Sequence, residues 1–309
     1  MANLPPKHIH YTVYEPHETA IKAAILLLHG MQEHSGRYAG LANYLKDLGY
    51  AVITYDHTGH GRTAKNDAQM GFFQKEHPEK LLISEAKQMA YFMRNRFPHV
   101  SLILIGHSMG SFIARLLLGE SSTIFSGAIL IGTGDLNIMA NLFLPILRIA
   151  NMLSPTKRSK WLNKLFSSIN NQRFNHEKPN DGTNWLSISK ANRKTFLDDP
   201  LCGVDFSNNA FFGLISLQVK ATKPNWAKEI DKAFPILFLS GTEDPIGNFG
   251  KGVEQTVRKL RLNGFQHIAL KFYPNMRHEI LNEDNRTIVF QDIAQWLEEL
   301  LTPNSTTRF

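Results

Sequence analysis

The pentapeptide Gly106-His107-Ser108-Met109-Gly110 constrains this chain more than any other feature. By average Gly and Ser usage, the pattern G-x-S-x-G arises by chance in roughly one protein in ten of this length. Its context decides its meaning. It joins an apolar run, SLILI (101–105), to a stretch with helical spacing, Met109–Leu118. A strand that turns into a helix with no loop between them forces the serine into a strained backbone conformation. Only glycine on each side leaves room for strand and helix to close around it. The serine hydroxyl is then lifted clear of a sheet, at the N-terminal end of a helix dipole.

The rest of the chain supplies the matching sheet. Ala23–His29, Tyr50–Tyr55, Ser126–Ile131, Phe234–Leu239 and His267–Phe272 read as strands. Tyr38–Leu48, Glu79–Phe97, Gly252–Leu262 and Thr287–Leu301 carry apolar residues at helical spacing. Alternating strands and helices predict an α/β fold with a mostly parallel sheet covered on both faces. The rhythm stops between Thr133 and about Lys228, where helical patches (Lys160–Phe166, Phe211–Val219) alternate with polar loops. That middle segment reads as an insertion over the sheet.

Composition excludes several classes. A 43% hydrophobic chain with 20 Phe is not disordered. One cysteine, Cys202, permits no intramolecular disulfide and fits a reducing compartment. There is no CxxC, and His57-Thr58-Gly59-His60 lacks the further ligands of a metallohydrolase, so no metal is expected. Pro145 and Arg148 interrupt the longest apolar stretch, which is too short to span a bilayer. MANLPPKHIH carries no apolar leader, and a cytoplasmic protein is expected. Residues 133–228 hold 13 Lys/Arg and 6 Asp/Glu, which accounts for the whole net charge of +7. Without a recognition motif, that excess does not point to nucleic acid.

A serine hydroxyl needs a base to become a nucleophile. Catalytic loops gather at the carboxyl ends of parallel strands. His278, after the strand HIALKFY, is the expected base; His57 and His60 are rivals, His29 reads as ordering a turn, and His107 should point away from Ser108. Asp244, just past PILFL, is the expected partner of the imidazole, with Glu243 the alternative. An oxyanion hole needs two N–H groups. Met109, directly after the serine, and Met31, in the turn after the first apolar run, are the candidates, with Gly30 beside them facing substrate.

The runs HGMQEHSGRY, YDHTGHGRT, GHSMG, SGTEDP and YPNMRHEILNE resemble the serine α/β-hydrolases of the monoacylglycerol lipase and lysophospholipase group, in the serine aminopeptidase-like superfamily. The resemblance covers 1–132 and 229–309 well and the middle, with WLS and DPLCG, less specifically. It implies an α/β-hydrolase core in two parts, 1–132 and 229–309. It also implies a helical cap, 133–228, inserted after the sixth strand. It assigns Ser108, Asp244 and His278 as a triad, Met31 and Met109 as the oxyanion hole, and no cofactor. Two positions depart from the group: Asn275 stands where many relatives have Gly, and Thr63 follows GHGR in place of serine.

The expected substrate is a lipid-like carboxylic ester, a monoacylglycerol or lysophospholipid. Leu142, Phe143 and Ile146, with Met31, Met109, Met139 and Met152, are expected to line an acyl pocket. Leu136–Leu153 offers a lid face for lipid, and Lys157, Arg158, Lys160, Lys164, Arg193 and Lys194 could draw the cap to an anionic membrane. Two readings compete: an aminopeptidase, amidase or general short-chain carboxylesterase on the same scaffold, and a non-catalytic binding protein.

Overall fold

The computed structural model describes residues 8–16, 20–136 and 138–302. Its seven strands are β1 Tyr11–Tyr14, β2 Ala23–Leu28, β3 Ala51–Tyr55, β4 Ser101–His107, β5 Gly127–Ile131, β6 Ile236–Gly241 and β7 Ile268–Tyr273. They form one sheet in the order β1-β3-β2-β4-β5-β6-β7. Only β1 is antiparallel, against β3. Sequence reading missed β1, a four-residue, half-buried edge strand too short to show a period.

Every residue of β2 is buried. Ala24, Leu26 and Leu28 pack with Met89 and Phe112 on one face; Ala23, Ile25 and Leu27 pack with Leu41 and Ile293 on the other. Both faces are covered, so the strand shows no polar alternation. Each leucine so buried contributes about 1.5–3 kcal/mol. Helices α1 (Ala39–Asp47) and α9 (Arg286–Leu301) cover one face, and α2 (Pro78–Arg96), α3 (Met109–Ser121) and α8 (Lys251–Leu262) the other.

Helices α4 (Ile138–Leu153), α5 (Lys160–Asn171), α6 (Lys190–Asp198) and α7 (Asn208–Ala221) lie between β5 and β6. Among the described strands the insertion follows the fifth, where the resemblance placed it after a sixth, because a single antiparallel strand precedes the parallel block. Helix α7 packs on α2 and α3, and α4 packs on α7.

The insertion is held in two ways. Around α6 the ties are polar. The Glu283 carboxylate, from the core, accepts from Ser187 Oγ (2.6 Å), Ile188 N (3.1 Å), Ser189 N (3.2 Å) and Arg277 N (3.1 Å). The buried Arg277 guanidinium pairs with Glu177 and donates to Asn184 O at 2.7 Å. Helix α4, in contrast, buries Leu147 and leaves Ile138, Leu142, Ile146, Ile149 and Met152 exposed. No helix among the described residues is long and apolar enough to cross a membrane.

Candidate active site

Strand β4 ends at His107 and α3 begins at Met109, so Ser108 is the entire turn. Its φ is 52°, in the region that non-glycine residues occupy only under constraint. A Cβ on Gly106 would lie 2.4 Å from Gly110 O, and one on Gly110 would lie 2.3 Å from Leu28 O. Both glycines are thus required by close backbone approach, as the pentapeptide predicts. Ser108 N donates to Ile131 O at 2.9 Å, tying the turn to β5.

Asp244 and His278 follow β6 and β7 and converge on this turn. His278 Nδ1 lies 3.0 Å from both carboxylate oxygens of Asp244. A carboxylate only accepts, so Nδ1 carries the proton and Nε2 is left as the basic nitrogen. Asp244 is fully buried, and its Oδ1 also accepts from Ile246 N at 2.8 Å. The indole of Trp185 covers the His278 ring at 5.0 Å between centroids. Asn275, the departure from the group, has φ 56°, a conformation asparagine tolerates well. Glu243, the rival to Asp244, instead accepts from Arg277 Nε at 3.3 Å.

The N–H groups of Met31 and Met109 donate to no acceptor among the described residues. Both residues line the same cavity as Ser108.

Behind these groups lies a buried polar network that the sequence reading did not foresee. Glu33 accepts from Gly30 N and Tyr38 Oη, each at 2.6 Å, and Arg37 Nε lies 3.2 Å from its second oxygen. Tyr38 gives its one proton to Glu33, so it accepts from His107 Nδ1 at 2.7 Å. His107 Nε2 faces the His278 carbonyl oxygen at 3.1 Å and must donate as well. His107 is therefore an imidazolium. Burial opposes that charge, but Glu33 outweighs it and raises the His107 pKa. Burial likewise opposes the charge on Glu33, yet His107 and Arg37 hold it well below the usual carboxylate range. The network ties together the loops that carry Met31, Ser108 and His278. Its one sequence signal was Glu33 and Arg37 inside the run HGMQEHSGRY.

His29, His57 and His60 are structural in their contacts. His29 donates from Nδ1 to Gly30 O at 2.7 Å and accepts from His57 N at 3.0 Å, ordering two turns. Burial pushes His57 far down and His60 to about 3, so both are neutral.

Two cavities meet at Ser108 and Met31. The first, of about 450 Å³, mixes apolar walls with polar and charged residues and reaches past His278 to Asn163, Lys164, Asp181 and Asp205. The second, of about 260 Å³, is apolar and runs between Met109, Phe143, Leu147, Ile169 and Leu214. Gly30 lines the first; Met139 and Phe143 line the second. Leu142 and Ile146, expected there with Phe143, do not line it and are 63% and 60% exposed. Residues Met139, Phe143 and Leu147 recur at helical spacing, and their neighbours fall on the opposite face of α4. Met152 is also on the outer face.

Comparison with known proteins identifies the family. A family model described as "Serine aminopeptidase, S33" matches residues 19–285. The chain is 34% identical to the monoglyceride lipase of Mus musculus over 274 residues, 85% of this chain and 81% of that protein. It is 23% identical to the monoacylglycerol lipase of Mycolicibacterium smegmatis, over 93% of this chain and 91% of that one. A solved structure described as "Lipase (Open form)" superposes with a TM-score of 0.87 at 26% identity, covering 96% of this chain and 95% of its own. On the family model and on the relative from Mus musculus, the chain belongs to the serine aminopeptidase (S33) family of α/β hydrolases.

Proposed function

We propose that the protein hydrolyses the ester of a single fatty acid with a glycerol-based alcohol, as the names of its lipase relatives suggest. The observation that carries this reading is the pair of unlike cavities meeting at Ser108. A lipid ester has one apolar and one polar end, and the carbonyl between them must sit at the nucleophile.

His278 Nε2 takes the Ser108 proton as Oγ attacks the carbonyl. The N–H groups of Met31 and Met109 receive the oxyanion. The alcohol leaves with the proton held by His278, and the acyl chain stays in the apolar arm, bonded to Ser108. Water, deprotonated by His278, then releases the fatty acid. Asp244 holds the imidazole in the tautomer this requires.

Ser108→Ala should reduce fatty-acid release from monooleoylglycerol by at least about 10⁴-fold while the fold persists. Fluorophosphonate labelling of Ser108 separates an enzyme from an inert binder; retained turnover in Ser108→Ala would sink the assignment. An aminopeptidase site would need unpaired acids for the substrate amine. Of the six acids of the insertion, Asp135, Asp198 and Asp199 are already paired with Lys259, Lys194 and His34, and Glu177 with Arg277, which leaves Asp181 and Asp205 at the cavity to receive one.

The outer face of α4, with Ile146, Ile149, Met152 and Leu153, is an exposed apolar surface of the kind that meets lipid. We assign it to contact with a membrane surface, where such substrates reside. The basic residues contribute less than their number suggests. Arg158 is engaged with Asp67, Lys194 with Asp198, and Arg193 is buried. Ile149→Asp with Met152→Asp should abolish co-sedimentation with phosphatidylglycerol vesicles that the wild type shows; equal pelleting of both proteins would remove this role.

A further inference from the structure

The Met31 N–H belongs to the peptide that joins Gly30 to Met31, and that peptide is approached from two sides. Its carbonyl end is fixed by the core, where Gly30 O accepts from His29 Nδ1 at 2.7 Å. On the other side the chain passes through Met31 into Gln32, and both the backbone and the side chain of Gln32 are tied to the insertion. Gln32 O accepts from Gly203 N at 2.8 Å, and Gln32 Nε2 donates to Asn163 Oδ1 at 2.9 Å. The Asn163 amide is itself locked. Its Oδ1 also accepts from Phe206 N at 2.9 Å, and its Nδ2 donates to Phe206 O and Ser159 O, each at 3.0 Å. One side-chain amide therefore joins α5, the segment that follows α6 and the core loop that carries Met31.

Gln32 has φ 54°, a region that a non-glycine residue keeps only where its surroundings impose it. Glycine would take that angle freely. What glutamine adds at this position is its amide, and the amide goes to Asn163. Helix α5 borders both cavities, through Asn163 and Ser167 in the first and Leu162 and Leu165 in the second. A shift of α5 is thus passed to the residue after Met31 by the Gln32–Asn163 hydrogen bond. We infer that Gln32 is a positioning residue, through which the seated insertion sets the direction of the Met31 N–H. The oxyanion hole is complete only while Asn163 and Gly203 are in place. This rests on the ester-hydrolase mechanism above, in which that N–H meets the tetrahedral oxyanion. A donor turned aside stabilises the transition state less and leaves the bound ester as it was, so the loss falls on kcat rather than on KM.

The test uses monooctanoylglycerol below its critical micelle concentration, so that surface binding does not enter. Its second probe is an octyl trifluoromethyl ketone, whose adduct with Ser108 carries the same oxyanion. Gln32→Gly removes the amide and at the same time relieves the backbone strain. It should lower kcat at least about tenfold with KM unchanged, and raise the Ki of the ketone by the factor that kcat/KM falls. Its thermal midpoint should stay where it was, so that activity and stability part company. Asn163→Ala should lower kcat as well, and adding Gln32→Ala to it should lower kcat by less than about twofold further. Unchanged kcat and ketone Ki in Gln32→Gly, with turnover that still depends on Ser108, overturn the positioning role and leave the ester hydrolase standing. So does a raised KM with a lowered thermal midpoint, which marks general loosening. A wild type with neither turnover nor fluorophosphonate labelling at Ser108 overturns both.

Discussion

The two halves of the insertion are attached to the same core by opposite chemistry. The segment from Glu177 to Cys202 is bound by charged and buried groups to the loop that carries His278. The α4–α5 half rests on an apolar seam with a few neutral and surface polar ties, at Asn151, Arg158 and Asn163, and turns its other apolar face outward. Hydrogen bonds to a charged acceptor are directional and fail together when the acceptor is lost. Apolar contact is non-directional and tolerates sliding. One half is therefore suited to holding the base in place, the other to admitting an acyl chain.

The strongest way to break this contrast is Glu283→Ala. It strands the N–H groups of Ile188 and Arg277 and the Ser187 hydroxyl, each costing about 1–3 kcal/mol when buried without a partner, while Ser189 N keeps Ser187 Oγ at 3.0 Å. Stability should fall by about 3 kcal/mol or more in urea denaturation. Turnover should fall as well, because Arg277 N, one of the stranded donors, belongs to the residue before His278. The outer face of α4 should behave oppositely. Ile149→Asp with Met152→Asp touches nothing buried, so unfolding free energy should stay within about 0.5 kcal/mol of wild type even as vesicle binding is lost. A fall of several kcal/mol there would mean the face is covered by protein.

A smaller effect should appear in acid. The Arg277 hydrogen bond, against slight burial, lowers the Glu177 pKa. A carboxylate depressed in the folded state contributes stability above its unfolded pKa, about 4.3. That contribution is lost as pH falls through the lower folded value. The Glu177–Asp199 half should thus gain hydrogen exchange below about pH 4 before the α4–α5 half does. Glu177→Gln should flatten this dependence by less than about 1 kcal/mol, since the carboxylate is partly exposed and screened. An unchanged acid profile in that variant would show the tie carries no stability.

The chemical centre was legible in the sequence because each of its parts is local. A glycine bracket, an Asp after one apolar run and a His after another are visible without tertiary knowledge. The four helices expected around Tyr38–Leu48, Glu79–Phe97, Gly252–Leu262 and Thr287–Leu301 form within one residue of those limits, since each carries an apolar stripe against the sheet. What escaped was non-local. The imidazolium of His107 depends on Glu33 and Tyr38, some seventy residues away. The face of α4 that meets the cavity could not be chosen, because the helix is apolar nearly all round; Leu142 and Ile146 were placed inside on composition alone, where only the phase of the helix decides. In the insertion, α6 was missed because KANRKTFLD has few apolar residues and is held by caps and salt bridges.

The position of the insertion also dictates when this protein can become reactive. Residues 132–235 separate β5 from β6, yet Ala128 pairs with Ile236 in adjacent strands. Closing so long a loop is slow, although each doubling of its length adds only about 0.6 kcal/mol. During synthesis the β2–β5 block and its serine turn emerge first, with α1 to α3 to cover them. Asp244 and His278 arrive last, after the whole insertion has been made. A chain still on the ribosome thus carries the serine turn without Asp244 and His278, and on the mechanism proposed above its hydrolytic competence waits on the final quarter of the polypeptide.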